Sequence, residues 1–395
     1  MASRALNAAV VTTAVGLTAA VTARVAGRRL VARTERRLCP NPTVGRYPAN
    51  ERARALHETL GVVDLHADSL LWGRDLLERG DRGHVDVPRL IEGNVALQVF
   101  AASTKSPRHL NIERNDDSSD DIILLAIGSG WPPRTWRSLL ARALHMASRA
   151  DAMARRSDGR LTIIRSQADL AAHLAARGPS WPVTAGLLAI EGAHALDDDP
   201  ANVEVVADAG FRMMSPSHFF DNAFGGSAHG IEKGGLTPAG REMIERMEAR
   251  RMLVDVAHAS AATIDDVLAM STRPVVASHT GARGVLDNAR NLSDEHLRGI
   301  AASGGLVGIG FWPTASGGDD VAAIVRSIRY AIDVAGVEHV GLGSDFDGGV
   351  PVPFDATGMI RLTEALLDAG LADADIGKVM GGNALRLFGE ALPAT

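Results

Sequence analysis

Residues 62–68 read Val62-Val63-Asp64-Leu65-His66-Ala67-Asp68. This stretch brings two ionisable side chains to the end of a predicted strand. Side chains two residues apart on a strand share one face, so His66 and Asp68 are expected side by side. A neutral imidazole and an ionised carboxylate on one face bind a single divalent cation well. The stretch therefore predicts a strand that ends in part of a metal site.

The overall composition is that of an ordinary soluble globular protein with room for a large core. The chain has 395 residues, of which 46% are hydrophobic and 22% charged. A formal net charge of −6 and a pI near 6.1 give no basic field, which argues against nucleic acid as a partner. Cys39 is the only cysteine, so an intrachain disulfide and a zinc-thiolate cage are both excluded. His, Asp and Glu are left as metal ligands.

The N-terminal region differs from this average. Residues 5–23 carry no charge and are mostly Ala, Val, Thr, Leu and Gly, close to the length of about 20 apolar residues that crosses a bilayer. We favour a membrane-directed segment, either a signal peptide cut near Val21-Thr22-Ala23 or an uncleaved anchor, over an Ala-rich amphipathic helix. Positive charges on its C-terminal side would hold that flank in the cytoplasm and argue against simple export: Arg24, Arg28, Arg29, Arg33, Arg36 and Arg37.

The domain division follows from this contrast. Residues 1–50 are predicted to be an apolar leader or anchor with an Arg-rich linker, and residues 51–395 a single catalytic domain. The expected location is either membrane-associated through residues 5–23 or cytoplasmic, and a homodimer is allowed.

From residue 51 onward, short apolar runs alternate with longer patterns of helical period. Strand followed by helix, repeated about eight times, predicts a (β/α)8 TIM barrel in the α/β class. A doubly wound open sheet is the alternative, but no Gly-x-Gly-x-x-Gly follows the first strand. Residues 103–182 do not fit the repeat and are predicted to be an insertion with a helix through 136–156. The eight runs are Val62-Leu65, Val95-Phe100, Ala185-Ile190, Phe211-Met214, Met252-Val256, Pro274-Ala277, Leu306-Phe311 and Val340-Leu342.

Potential metal ligands follow these runs repeatedly. In a parallel barrel the reacting groups lie at the carboxyl ends of the strands, where the loops converge on one mouth. A single histidine at such a position is more often a core or capping residue. Six strand ends that all carry His, Asp or Glu favour a metal site instead, because residues that merely end a strand are more often Asn, Ser, Gly or Lys. The side chains at these ends are His66, Asp68, Glu191, His218, His258, His279 and Asp345.

Three histidines and two carboxylates exceed the needs of one tetrahedral zinc with an open position, but suit two ions that share a carboxylate. The predicted division assigns one ion to His66 and Asp68, the other to His258 and His279, and places Glu191 between them. Such a pair lowers the pKa of a bridging water and polarises a carbonyl, as hydrolysis of an amide or ester requires. The predicted chemistry is metal-assisted hydrolysis.

Three residues are expected to act on the substrate. His218 would stabilise the developing oxyanion, and Asp345 would move a proton from the attacking water to the leaving nitrogen. Arg290 follows the His279 strand end by one loop, and its guanidinium is suited to a bidentate grip on a substrate carboxylate.

The chain resembles the membrane dipeptidase family, also called renal dipeptidases, a branch of the metal-dependent amidohydrolase barrels. The resemblance implies a binuclear zinc dipeptidase with two Zn²⁺ per chain, activity toward dipeptides with a D- or dehydro-residue on the C-terminal side, and the ligand and substrate roles given above. The matching segments run in order along the domain: Val63-Asp64-Leu65-His66-Ala67-Asp68, Ile190-Glu191-Gly192-Ala193-His194, Ser217-His218 with Asp221-Asn222, Asp255-Val256-Ala257-His258-Ala259-Ser260, Ser278-His279-Thr280, Ala289-Arg290-Asn291-Leu292, Gly343-Ser344-Asp345-Phe346-Asp347-Gly348 and Gly382-Asn383-Ala384-Leu385-Arg386-Leu387-Phe388.

Two departures from the family pattern bear on substrate preference and oligomer contacts. The insertion around Asp116–Asp121 and Trp131–Pro133 is longer and differently composed, and a single cysteine removes the disulfides of the animal enzymes. Two alternative functions stay open at this point. One is a metal-dependent esterase, lactonase or amidase acting on another small acyl compound, and the other is a non-catalytic barrel protein.

Overall fold

A computed structural model describes residues 22, 24–41, 47–178 and 182–395. Within these residues, all strand pairings of the sheet are parallel. The strands are β1 (Val62–Ala67), β2 (Val95–Ser103), β3 (Leu161–Ile164), β4 (Thr184–Glu191), β5 (Phe211–Met214), β6 (Leu253–Asp255), β7 (Val275–Thr280), β8 (Leu306–Ile309) and β9 (Val340–Leu342).

Eight of these strands close into a barrel. β1 pairs with β2 on one edge and with β9 on the other, β2 pairs with β4, and β4 to β9 follow in order around the ring. These eight strands correspond to the eight apolar runs of the sequence, so the predicted (β/α)8 barrel is confirmed. The remaining strand, β3, lies in the insertion and pairs with Thr184–Leu187 of β4, whereas β5 pairs with Leu188–Ile190. The sequence analysis missed β3, because its run includes the exposed Thr162 and lies inside the insertion, outside the repeat of strand and helix.

Helices cover the outside of the barrel. Several begin at a Ser, Asp or Thr whose side chain accepts the backbone N–H three residues on, as Ser260, Ser293 and Asp320 do. The helix predicted through 136–156 begins at Leu139, with Ser138 as its cap. The helices are α1 (24–38), α2 (Glu51–Thr59), α3 (Val87–Glu92), α4 (Ile122–Ser129), α5 (Leu139–Arg156), α6 (Gln167–Ala176), α7 (Asn202–Asp208), α8 (Pro238–Ala249), α9 (Ala261–Met270), α10 (Asp294–Ala302), α11 (Pro313–Ser316), α12 (Val321–Ala335), α13 (Met359–Asp368), α14 (Asp373–Gly377) and α15 (Asn383–Ala391).

The buried apolar residues form two layers, because alternate side chains of a strand point to opposite faces. The larger cluster lies between the strands and the surrounding helices. The second cluster fills the barrel interior toward the start of the strands, and residues of α15 complete it, so that this helix closes the end opposite the mouth. Its members include Val63, Leu65, Leu97, Val99, Ala185, Leu187, Met213, Leu253, Val276, Leu306, Ala384, Leu387 and Phe388.

The N-terminal region is described only in part. Nearly all of the apolar segment 5–23 lies outside the described residues, so its membrane role and the domain boundary at residue 50 stay predictions. Among the residues that are described, no helix is both long and apolar enough to cross a membrane. Helix α1 packs against α4, and a Cβ on Gly27 would meet the Gly128 carbonyl oxygen at 2.9 Å. Glu35 and Cys39, near the end of α1, are both buried.

Candidate metal centre

The mouth of the barrel collects the seven ionisable residues predicted at the strand ends. Each occupies the end of its strand or the turn directly after it, which is where parallel strands bring side chains together. All seven are buried, with at most 8% of any residue exposed. They are His66 of β1, Asp68 after β1, Glu191 of β4, His218 after β5, His258 after β6, His279 of β7 and Asp345 after β9.

Glu191 lies at the centre of this group. Its Oε1 is 3.1 Å from His258 Nε2, 3.4 Å from His279 Nε2 and 3.5 Å from His66 Nε2. Its other oxygen, Oε2, is 3.3 Å from His218 Nε2. A buried carboxylate that faces four imidazole nitrogens with both of its oxygens is placed to be a ligand in a metal site.

Three overlapping groups of side chains are each compact enough to hold one cation: His66, Glu191 and His279; Glu191, His218 and His258; and His66, Asp68 and Asp345. Glu191 belongs to two of these groups. The predicted pair His258 and His279 also lies together, with the two Nε2 atoms 2.9 Å apart and within 3.1 and 3.4 Å of Glu191 Oε1. His218 and Asp345, which were predicted to act on the substrate, belong to groups of their own with these ligands.

Orphaned polar atoms test whether a metal fits this site. Buried nitrogen and oxygen atoms in proteins almost always have a hydrogen-bond partner. His66 Nε2 and Asp68 Oδ1 have none among the described residues. Both atoms lie within the groups described above, and their nitrogen and oxygen donors suit zinc. The residues present therefore fit a bound zinc.

The electrostatics of the site separate one imidazole from the others. Burial lowers the pKa values of His218, His258 and His279 well below the usual range, so these rings are neutral and offer lone pairs. Burial also acts to lower the pKa of His66, but Glu191 and Asp68 outweigh it and raise the value to about 10. A site that draws a proton this strongly carries excess negative charge, which equally attracts a divalent cation.

Asp345 has the environment of a group that exchanges protons. Burial raises its pKa to about 7, and the charge of Asp68 adds to the effect, while His66 and Arg290 oppose it. The Asp345 backbone has a φ of 58°, which non-glycine residues seldom adopt. Backbone strain of this kind is typical of functional sites, where the surrounding structure enforces it.

A histidine that the sequence analysis missed orients His258. His229 Nδ1 is 2.7 Å from the Ile112 carbonyl oxygen, so this nitrogen carries the proton and Nε2 is left as an acceptor. His229 Nε2 in turn lies 3.0 Å from His258 Nδ1, which must donate. The lone pair of His258 is therefore on Nε2, the atom that faces Glu191 and His279. The Gly-rich segment Gly225-Gly226, just before His229 in the sequence, was the available signal.

Arg290 is buried beside the ligand group. Its Nη2 donates to the His279 carbonyl oxygen at 2.6 Å, and its guanidinium lies over the Trp312 ring at 5.6 Å. Nη1 is buried without a partner among the described residues. Burial lowers the Arg290 pKa to about 10, which leaves the side chain charged at neutral pH. An unpartnered N–H of a buried cation, next to a group of metal ligands, is suited to an anionic substrate group.

A parallel barrel with a buried cluster of histidines and carboxylates at its mouth defines a metal-dependent hydrolase of the amidohydrolase type. The family model for membrane dipeptidases, peptidase family M19, matches residues 50–394. The chain therefore belongs to the membrane dipeptidase family, and with it to the metallodipeptidases, which confirms the resemblance seen in the sequence.

Individual relatives agree with this placement. The chain is 27% identical over 320 residues to the dipeptidase tcpJ of Claviceps purpurea, which covers 78% of this chain and 69% of that protein. Among solved structures, it is similar to the metallopeptidase dipeptidase AC of family M19, with 27% identity, a TM-score of 0.69 and coverage of 86% and 100%. It is also similar to a metallopeptidase of Rhodobacter sphaeroides liganded with a phosphinate mimic of L-Ala-D-Ala, with 26% identity, a TM-score of 0.69 and coverage of 84% and 99%.

Proposed function

We propose that this protein is a binuclear zinc dipeptidase. The observation that carries the proposal is the position of Glu191, whose two oxygens lie 3.1–3.5 Å from the Nε2 atoms of four histidines. We assign Glu191 as the shared ligand and place the other ligands on either side of it: His66, Asp68, His258 and His279. Zinc bound there supplies a Lewis acid that lowers the pKa of water and polarises a carbonyl group.

The chain's own residues supply binding and proton transfer. Arg290 binds the free carboxylate of the dipeptide and so fixes the position of the peptide bond. His218, neutral and buried, donates a hydrogen bond to the oxygen of that bond as negative charge develops on it. Asp345 accepts a proton from the attacking water and delivers it to the leaving nitrogen. Water and dipeptide thereby give two amino acids.

We further propose that the enzyme accepts a D-residue on the C-terminal side of the dipeptide. Two observations support this: the membership of the family, and the similarity to the Rhodobacter sphaeroides enzyme that binds a mimic of L-Ala-D-Ala. A panel of matched L,L- and L,D-dipeptides, assayed with and without chelator, tests both the reaction and this preference. If the zinc-loaded enzyme hydrolyses none of the dipeptides in the panel, the proposal is contradicted.

Removal of metal tests the proposed cofactor directly. A strong chelator is expected to lower the dipeptidase rate by about a hundred-fold or more, since the Lewis acid contributes several kcal/mol. When zinc is titrated back, activity should return and the plot of activity against added zinc should level off at two equivalents per chain. Zinc should also raise the thermal unfolding midpoint, because it binds only the folded state. Magnesium, which prefers oxygen ligands, serves as the control. A break at one equivalent would contradict the binuclear site.

Replacement of Arg290 separates dipeptides from other acyl substrates. We expect R290A to raise KM for dipeptides by about a hundred-fold, because a buried charge pair typically contributes a few kcal/mol, while kcat changes much less. The control substrate is a dipeptide amide, which lacks the carboxylate, so the same substitution should change its KM very little. An unchanged KM for dipeptides would favour an esterase, lactonase or amidase acting on another small acyl compound.

A further inference from the structure

A chain of buried ion pairs connects helix α1 to the loop after β9. Glu35 has no exposed surface. Its Oε2 accepts a hydrogen bond from Arg82 Nε at 2.6 Å, and its Oε1 accepts one from Arg74 Nε. Arg74 also forms an ion pair with Asp347, which is itself fully buried. The contacts thus run without interruption from a helix outside the barrel to the loop that carries Asp345.

The far end of this chain lies beside two residues of the candidate metal centre. Asp347 accepts hydrogen bonds from Ser69 Oγ and from the His84 backbone N–H, each at 2.6 Å. Ser69 directly follows Asp68, and Asp347 stands two residues after Asp345. The Asp68 backbone N–H donates to the Phe346 carbonyl oxygen at 2.9 Å. Asp347 therefore holds together the two loops that present Asp68 and Asp345.

The loop after β9 needs this support because its backbone is strained. Asp345 and Asp347 have φ values of 58° and 64°, in a region that side chains other than glycine rarely adopt. The opposite wall is shaped to let Arg74 reach the loop. Gly83 has a φ of 70°, and a Cβ there would collide with the Arg74 guanidinium and stand 2.8 Å from Asp347 Oδ1.

Simple stabilisation is a weak explanation for these buried charges. The free energy needed to remove a carboxylate and a guanidinium from water is about as large as the free energy gained from their attraction. Proteins with apolar side chains in place of a buried ion pair are therefore often equally stable. The apolar contact between α1 and the barrel is small, formed by Val31, Cys39 and Trp72 with two partly buried leucines. Where a buried ion pair adds little net stability, its effect is to select one conformation, here that of the Asp345 loop.

We propose that Glu35 is a positioning residue for Asp345, acting through Arg74 and Asp347, so that helix α1 is a functional part of the catalytic unit. The proposal rests on the proton-transfer role of Asp345 in the proposed function. It assigns a catalytic contribution to a segment that the sequence analysis placed in the linker before the barrel.

The test uses the full-length, zinc-loaded protein with E35A and E35Q, rates being normalised to folded, zinc-containing chains. For E35A we expect kcat to fall about ten-fold, since small displacements of a catalytic group are costly, with KM unchanged because Arg290 is not part of the network. E35Q, which keeps one acceptor oxygen for Arg74, should fall between E35A and the unaltered protein. Hydrogen exchange in residues 344–349 should accelerate in the same order, without a matching increase in the strands.

The matched control is R37A, which removes an exposed side chain of the same helix, two residues from Glu35. Arg37 takes no part in the chain of ion pairs from Glu35 to Asp347, so kcat and loop exchange should not change. Unaltered kcat and loop exchange in both E35A and E35Q would overturn the proposal, and E35Q alone decides it if E35A does not fold. If the unaltered protein itself lacks dipeptidase activity, the proposed function fails, and the exchange measurements still show whether Glu35 holds the loop.

Discussion

Replacing Glu191 with glutamine is expected to lower kcat about a thousand-fold and to reduce bound zinc from two ions per chain to one or none. The amide keeps the size of the side chain but removes its charge and turns one oxygen into an NH₂ group, which cannot bind a cation. Both Glu191 oxygens face imidazole nitrogens at 3.1–3.5 Å, so either orientation of the amide spoils one side of the site. Loss of a Lewis acid worth several kcal/mol gives a rate change of this size.

Elemental analysis and steady-state kinetics on the same preparation check this expectation. The control is E242Q, because Glu242 is on the surface of α8 and pairs with Arg246 one turn away. The control should keep two zinc ions and full activity. An E191Q protein that retains two zinc ions and nearly normal kcat would show that Glu191 is not the shared ligand.

Replacing Asp345 with asparagine is expected to lower kcat by about a hundred- to ten-thousand-fold, the usual contribution of a general acid or base. Asparagine has the same shape and tolerates the positive φ of 58°, so the backbone should hold its conformation. It cannot carry the proton from water to the leaving nitrogen. We therefore expect KM and zinc content to stay near their original values while the chemical step slows.

The control for this variant is D158N. Asp158 also has a positive φ, 53°, but lies on the surface away from the mouth, so it tests the backbone effect of the same substitution. It should leave both kcat and zinc content unchanged. Loss of one zinc ion in D345N would instead identify Asp345 as a ligand, the role suggested by its grouping with His66 and Asp68, and would contradict its assignment to proton transfer.

The barrel and most of its mouth were predictable from the sequence because the ionisable side chains lie at or directly after the ends of the strands. Each buried strand appears in the sequence as a short apolar run, and parallel closure brings the next polar residue after every run to the same rim. His66, Glu191 and His279 could thus be predicted to share one mouth, and the structure places Nε2 of both histidines within 3.5 Å of Glu191 Oε1. How the ligands divide between two ions depends on side-chain directions, which the sequence does not give.

Other features leave no period or motif in the sequence. Strand β3 lies outside the repeat of strand and helix, and its pairing with β4 depends on the path of the insertion. His229 acts through a single hydrogen bond to His258, made possible by the distant Ile112 carbonyl group. Glu35 lies among arginines that indicate a solvated linker, although it is buried against Arg74. Contacts between segments far apart in the chain decide all three cases.

Helix α15 has a kinetic consequence. In the part of the chain that the structure describes, its apolar side chains fill the base of the barrel together with the interior strand residues, so the reaction site faces solvent at the rim. Both amino acids released by hydrolysis must then depart along the path by which the next dipeptide arrives. Accumulated free amino acids should compete with fresh substrate for that path, so that progress curves slow well before the dipeptide is consumed.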